Sequence, residues 1–267
     1  MNILPKISIV TPSYNQAKFL ERTILSVIEQ NYPYLEYIII DGGSTDGSVD
    51  IIKKYEKYLA YWVSEPDNGQ SHALNKGFKI CTGEIIGWQN SDDIYFPGAF
   101  DTVAGKFSNC VDVFFGNTKH IDIYDRIIRE LHYPPISRFT SIYEGIIAAN
   151  QSAFFNRSVF EKYGYIDENL HYAMDIEFFF RLLTKGARFK YINAFWGALR
   201  FQSMSKSMGD NSSKWIAEIE YINRKFSVNK SKYEKLYAKL SLLRRTILYL
   251  LRGDIRYVIG GFKNRVL

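Results

Sequence analysis

The run Tyr37-Ile-Ile-Ile-Asp41 constrains this chain more than any other stretch. Four apolar residues in a row, three of them β-branched, offer no polar face to water. They suit a strand covered on both sides in a parallel sheet. An Asp ends the run, and Gly42-Gly-Ser-Thr-Asp-Gly47 follows at once. That is turn chemistry, with side chains able to cap a helix over about Ser48–Tyr58. The same order recurs along the first half. Ile7-Ser-Ile-Val-Thr11, closed by Pro12, precedes a helical pattern over Ala17–Gln30. Ala60–Ser64 precedes the loop Glu65-Pro-Asp-Asn-Gly69 and a helix over Gln70–Ile80. Glu84–Gln89 runs into Asn90-Ser-Asp-Asp93, Pro97 opens another helix, and Val111–Gly116 reads as a fifth strand. Repeated β-α units predict an α/β chain built on a mostly parallel, doubly wound sheet.

The second half is less regular. Lys119–Leu131 has the pattern of a hairpin, Pro134-Pro135 marks a break, and Ala148–Phe155 suits a strand. Asp175–Lys185 predicts a helix that turns Ile176, Phe179, Phe180 and Leu183 inward; Tyr191–Phe201 suits a strand and Lys214–Phe226 a helix. Two domains are expected: residues 1–228, and a basic C-terminal helical extension over 229–267.

Composition removes several classes. Hydrophobic residues are 46% of 267 and charged residues 23%, which are globular proportions. Cys81 and Cys110 are the only cysteines, so neither a disulfide framework nor a thiolate zinc site is available. The histidines, His72, His120, His132 and His171, share no metal-ligand spacing and are expected at the surface or in packing. No signal-like or membrane-spanning run appears, which predicts a cytoplasmic chain. The net charge is +6, yet residues 231–267 alone carry nine Lys/Arg against two acids. The remainder is close to neutral, unlike a nucleic-acid-binding domain.

In an open parallel sheet, ligands bind beyond the carboxyl ends of the strands. Those ends carry Thr11-Pro-Ser-Tyr14, Asp41-Gly-Gly-Ser44, Glu65-Pro-Asp67 and Asn90-Ser-Asp-Asp93. Three of the four are acidic. The loop Thr11–Gln16 has no glycine, so neither a dinucleotide fingerprint nor a Walker loop is present. Carboxylates without an anion cradle suggest a diphosphate held through a divalent cation.

Ile7–Asn15, Ile38–Gly47, Gly83–Asp93 and Gly164–Leu170 leading to Met174-Asp175 stand in the order and spacing of a known pattern. Over about residues 5–205 the chain resembles family-2 glycosyltransferases with the GT-A fold. The resemblance implies transfer of a sugar from a nucleoside-diphosphate donor, a UDP-sugar, to an acceptor hydroxyl of a saccharide or lipid-linked saccharide, with inversion, in surface polysaccharide or glycan synthesis. It implies nucleotide contacts at Thr11, Pro12, Tyr14, Asp41, Asp67, Gln70, Asn90 and Ser91. It implies Mg2+ or Mn2+ at Asp92, with Asp93 beside it, and Asp175 as the base. Three positions depart from the family pattern. Asn90 stands for the first acid of Asp-x-Asp, Met174 for a Glu, and Gln202 where a His is common.

Each acid also has a plain structural reading. Asp41 suits a helix cap, Asp92 and Asp93 an N-terminal pair before the helix at Pro97, and Asp175 a helix start favoured by the dipole. A non-catalytic sugar-nucleotide-binding protein is therefore the alternative. A nucleotidyltransferase ranks last, because Thr11–Gln16 is neither glycine-rich nor basic.

The tail adds one expectation. Tyr233, Leu236, Leu240, Leu243, Ile247 and Leu250 recur at steps of three and four, an apolar helix stripe. Lys235, Lys239, Arg244, Arg245, Arg252 and Arg256 lie beside or opposite it. The stripe docks on the domain and leaves a solvated basic face, or the helix attaches to an anionic membrane surface; the two are not exclusive, since the stripe can pack inward while the arginines face lipid.

Overall fold

The computed structural model describes residues 4–144, 148–202, 212–226, 232–255 and 257–259. The expected first half is present: β1 (Ile7–Ser13), α1 (Ala17–Ile28), β2 (Leu35–Asp41), α2 (Ser48–Lys54), β3 (Tyr61–Ser64), α3 (Gln70–Ile80) and β4 (Ile85–Trp88). Strands β3, β2, β1 and β4 lie side by side, all parallel. Residues Ile38 and Ile40 join the core on one face of the sheet, while Tyr37 and Ile39 join the core on the other. The pleat thus explains why the run has no polar position.

Pro12 does not close β1. The strand runs on to Ser13, pairing Pro12 with Ile40 and Ser13 with Asp41. Strand β4 pairs with β1 only as far as Val10, so Pro12 lacks a neighbour on that side, where a missing N–H is tolerated.

Beyond β4 the sheet becomes mixed. There follow β5 (Ile94–Tyr95), α4 (Ala99–Ala104), β6 (Val113–Ile121), β7 (Ile127–Leu131), α5 (Arg138–Glu144), β8 (Ala153–Asn156), α6 (Ser158–Tyr163), α7 (Met174–Thr184), β9 (Phe189–Arg200), α8 (Ser212–Lys225) and α9 (Glu234–Leu251). The strand order is β3-β2-β1-β4-β8-β6-β9-β5, with β7 paired to β6. Strand β8 lies antiparallel between β4 and β6, and β9 runs parallel to β6. Trp88 and Trp196 are core residues, Cys81 is buried and Cys110 is exposed.

In α7 the buried set includes Phe178 and Leu182, while Ile176 and Leu183 are only half-buried. Glu177 is fully buried as well. Arg181 at 3.0 Å and Lys225 at 2.9 Å supply the opposite charge that such burial requires.

The tail packs the other way round from a docked apolar stripe. Ser241 and Tyr249 of α9 are buried, whereas Leu236, Leu240, Leu243, Ile247 and Leu250 face solvent. The surface offered to α9 explains this. It presents the His132 and Tyr133 carbonyls, which accept from the Tyr249 hydroxyl and the Arg252 guanidinium. It also presents the rings of Phe139 and Tyr143, on which Tyr237 rests. Polar and aromatic groups dock there, with Leu242 and Leu248 half-buried beside them. The boundary near residue 228 and Arg256 lie outside the described residues.

Candidate active site

The first three strand-end loops are laced together by their own side chains. Asn15 donates its backbone N–H to Ser44 Oγ at 2.8 Å and accepts from the Thr45 N–H at 2.9 Å. Asp46 accepts from Ala17 N at 2.9 Å and from Ser48 N and Oγ, satisfying orphan donors at the starts of α1 and α2. The Asp41 carboxylate is fully buried and takes four donors: Gly43 N, Ser44 N, Ser44 Oγ and Ser64 Oγ. Three of the four go to Oδ2, so Oδ1, bonded to the Ser44 hydroxyl alone, keeps acceptor capacity. Asp41 therefore holds the Gly42–Ser44 turn in this conformation.

Asp67 comes close behind that turn. A Cβ on Gly42 would sit 2.9 Å from Asp67 Oδ2, so a side chain there would push the carboxylate aside. Asp67 Oδ1 accepts from Gly69 N at 2.7 Å, at the start of α3. Thr11 Oγ1 lies 3.2 Å from the Tyr37 hydroxyl inside the sheet, Pro12 is buried, and Tyr14 is 61% exposed above the loop. Gln70 donates to Asn90 Oδ1 at 2.8 Å, as does the Trp88 indole. Asn90 thus ties α3 to the end of β4, with Ser91 buried beside it.

The two adjacent acids diverge. Asp93 turns inward, 2% exposed, and accepts from Arg200 N at 2.8 Å, Gln151 Nε2 at 2.7 Å and Asn90 Nδ2 at 2.9 Å. Burial, with the Asp92 charge adding to it, pushes its carboxyl up. With three protein donors on it, Asp93 is a poor metal ligand here, and Asp92 is the acid left at the mouth. Asp92 is half-buried, and Gln202 Nε2 donates to its Oδ2 at 2.7 Å. Among the described residues no group of three or more His, Cys, Asp or Glu could hold a metal ion. One carboxylate beside a neutral amide still fits Mg2+ or Mn2+, which take one or two carboxylates and fill the remainder with phosphate oxygens and water.

Asp175 lies in the first turn of α7 and lines a cavity of about 240 Å³ with Thr118, His120, Tyr133, Asn150, Gln151 and Leu199 among its walls. Two amide atoms in that wall are buried without a hydrogen-bond partner, Asn150 Nδ2 and Gln151 Oε1. A donor and an acceptor left unmet inside a fold are costly unless a ligand or water takes them. Gln151 also reaches Asp93 through its Nε2, so one side chain spans the Asp175 cavity and the acid pair. Burial, then the Arg129 charge, pushes the His120 imidazole down to about 4. It is therefore neutral at physiological pH and can both donate and accept.

The segment before Asp175 is held from two sides. Asn75 of α3 exchanges two bonds with the Ile166 backbone, at 2.9 and 3.0 Å, and Ser71 Oγ donates to Leu170 O at 2.7 Å. Glu218 of α8 accepts the N–H groups of His171, Tyr172 and Ala173. Sequence reasoning missed His120, Tyr133, Asn150, Gln151 and Glu218. Only the polar pair Asn150-Gln151 ahead of an apolar run gave any local signal.

Residues 8–164 match the family model described as Glycosyl transferase family 2, and the chain belongs to that family. An uncharacterized glycosyltransferase of Mycobacterium tuberculosis is 32% identical over 188 residues, 68% of this chain and 70% of that protein. The putative teichuronic acid biosynthesis glycosyltransferase TuaG of Bacillus subtilis is 38% identical over 97 residues, 34% of this chain and 38% of TuaG. S. aureus TarS 1-349 in complex with UDP-GlcNAc superposes with a TM-score of 0.66 at 18% identity, over 89% of this chain and 71% of that one. The mannosyltransferase PcManGT from Pyrobaculum calidifontis, in complex with GDP-Man and Mn2+, superposes with a TM-score of 0.59 at 16% identity, over 97% and 81%. At such identities the likeness is of fold. The mixed, curled sheet with its helices is that of GT-A glycosyltransferases, and a helical C-terminal region follows it.

Proposed function

We propose that this chain transfers a sugar from a nucleoside-diphosphate donor to an acceptor hydroxyl, with inversion at the anomeric carbon. The observation that carries the reading is the Asp175 cavity, where a carboxylate shares a wall with a neutral imidazole and the polar residues Tyr133, Asn150 and Gln151. Sugar hydroxyls, each a donor and an acceptor, suit such a polar wall.

In this reading Asp175 takes the acceptor proton as the new glycosidic bond forms and the diphosphate departs. One base suffices for a single displacement, and no second carboxylate is needed as a nucleophile. Thr11, Pro12 and Tyr14 flank the nucleotide base, and Asp41, through Oδ1, and Asp67 each have an oxygen to offer a ring N–H. Gln70, Asn90 and Ser91 form the floor between base and diphosphate. Asp92, with Gln202 beside it, would hold Mg2+ or Mn2+. A bound cation there would offset charge on the departing diphosphate.

Neighbours in the fold are described with UDP-GlcNAc, UDP, and GDP-Man with Mn2+, which supports a nucleotide-sugar donor. The similarity to TuaG supports a place in polysaccharide synthesis. We favour a UDP-linked donor on the sequence resemblance. The test is a thermal-shift screen of UDP- and GDP-sugars with and without Mn2+, since a cognate ligand stabilises by mass action. A shift with turnover in the presence of saccharides supports transfer. A shift without turnover favours a sugar-nucleotide-binding protein, and no shift with any donor contradicts both.

A further inference from the structure

The outward face of α9 is the largest feature that the transfer reading leaves unused. Leu236, Leu240, Leu243, Ile247, Leu250 and Leu251 are each between 47% and 79% exposed. At about 3.6 residues per turn these six are adjacent around the helix, with no charged residue between them. Lys235 and Lys239 border one edge of this face and Arg244 the other, all three exposed. The opposite face is the docked one, held through Tyr249 to the His132 carbonyl and through Arg252 to the Tyr133 carbonyl. A helix on a water-soluble surface turns its apolar face inward. A contiguous apolar face turned outward, with a polar rim, marks a surface that meets something apolar.

The cationic rim decides between occupants. A second copy packing through a two-fold axis would set like against like and bring the Lys and Arg edges of two helices together. An anionic phospholipid surface satisfies both features: leucines enter the acyl boundary and the cations meet headgroup phosphates. No helix among the described residues is long and apolar enough to cross a membrane, so the helix would lie in the plane of the interface.

We propose that α9 seats this chain on an anionic membrane surface, leucine face down. The docked side gives the seating a consequence. Tyr133, whose carbonyl Arg252 holds, also lines the Asp175 cavity. Seating α9 therefore fixes that cavity relative to the bilayer, and the acceptor class this favours is a saccharide carried on a lipid. The acceptor class rests on the transfer reading; the attachment itself does not.

The test is co-sedimentation of the full chain with vesicles of phosphatidylcholine alone and of phosphatidylcholine with phosphatidylglycerol. Two variants accompany it, L243S/I247S/L250S in the apolar face and K235Q/K239Q/R244Q in the rim. All six side chains are exposed, so melting temperatures should stay within about 2 °C of the parent. The parent should bind the anionic vesicles, and raising salt should weaken binding. The rim variant should bind on the order of 100-fold more weakly, about fivefold per cation removed, and the apolar variant should not bind. Absent binding, or binding unchanged in the apolar variant, overturns the proposal. So does a dimer in solution that the apolar variant dissociates, which would make the face a contact between copies. A donor thermal shift measured without vesicles separates failure of the attachment from failure of the transfer reading.

Discussion

Glu218 accepts the backbone N–H of Ala173, the residue that opens the Asp175 helix, at 2.8 Å. The same carboxylate takes the two preceding N–H groups. A side chain of α8 thus does for α7 what its own N-cap residue, an alanine, cannot. It does so from beyond the residues that match the family model. Glu218→Ala should cost about 2 kcal/mol, the scale of bonds to a charged group. It should also lower kcat while leaving the donor KM near the parent value, because Asp175 loses its fixed approach. Glu218→Gln, with one acceptor oxygen, should recover part of both. Steady-state kinetics beside chemical denaturation read the two effects; a loss of stability with unchanged kcat would confine Glu218 to a structural role.

Asp92 and Gln202 are expected to act together on the cation. Asp92→Asn should cut metal-stimulated turnover at least about 100-fold, as expected when several kcal/mol of charge stabilisation are lost. Melting should move little, because the acid is half-buried at a strand end. Gln202→His should lower the Mn2+ concentration needed for half-maximal turnover, since imidazole is a better ligand than an amide. Metal titration of turnover measures both, and near-normal activity of Asp92→Asn would remove the cation from this site.

His120 provides a test on the acceptor side. Because burial keeps the imidazole neutral to about pH 4, its protonation should not shape activity between pH 6 and 8. His120→Phe should lower kcat/KM for the acceptor and leave donor binding unchanged. A variant that instead shifts a pH limb near 6.5 would show that the imidazole titrates in the working range.

The first half of the fold was legible because its signals are local. The run Tyr37–Asp41 has no polar face, and each strand end is followed by turn residues, so order and parallel pairing could be read directly. Strand β8 could not be placed that way. Its position between β4 and β6 follows from pairing Phe154 with Gly87 on one side and Phe114 on the other, contacts that no short window contains. The site divides along the same line. Asp41, Asp67, Gln70, Asn90 and Asp92 sit at strand ends or the helix start beside them and could be proposed from the sequence, although their partners and exposure were not visible. His120 and Gln151 reach the Asp175 cavity, and Glu218 the segment before it, from distant elements. The direction of the α9 stripe was also hidden, because periodicity gives a face but not what it faces.

One acid-sensitive contact lies outside the site. Burial opposes ionisation of Glu36, but bonds from Lys6, Ser8 and Thr82 outweigh it and hold its carboxyl down at about 2. A lowered folded value means the stabilisation is complete above the ordinary value of 4.5 and is lost as pH falls from there through about 2. Glu36→Gln should therefore be less stable than the parent at pH 7, and the gap should close across that window. Urea midpoints at pH 7, 4.5 and 2.5 measure it; a constant gap would deny the linkage.

The proposed role of Asp175 is that of the base in a sugar transfer. The most direct measurement is nucleoside-diphosphate release by Asp175→Asn beside the parent, with the donor found by thermal shift, Mn2+ and a saccharide acceptor. The account predicts turnover at least about 100-fold below the parent, the scale of a lost general base, with the donor-induced melting shift intact. Near-parental turnover in Asp175→Asn would contradict it.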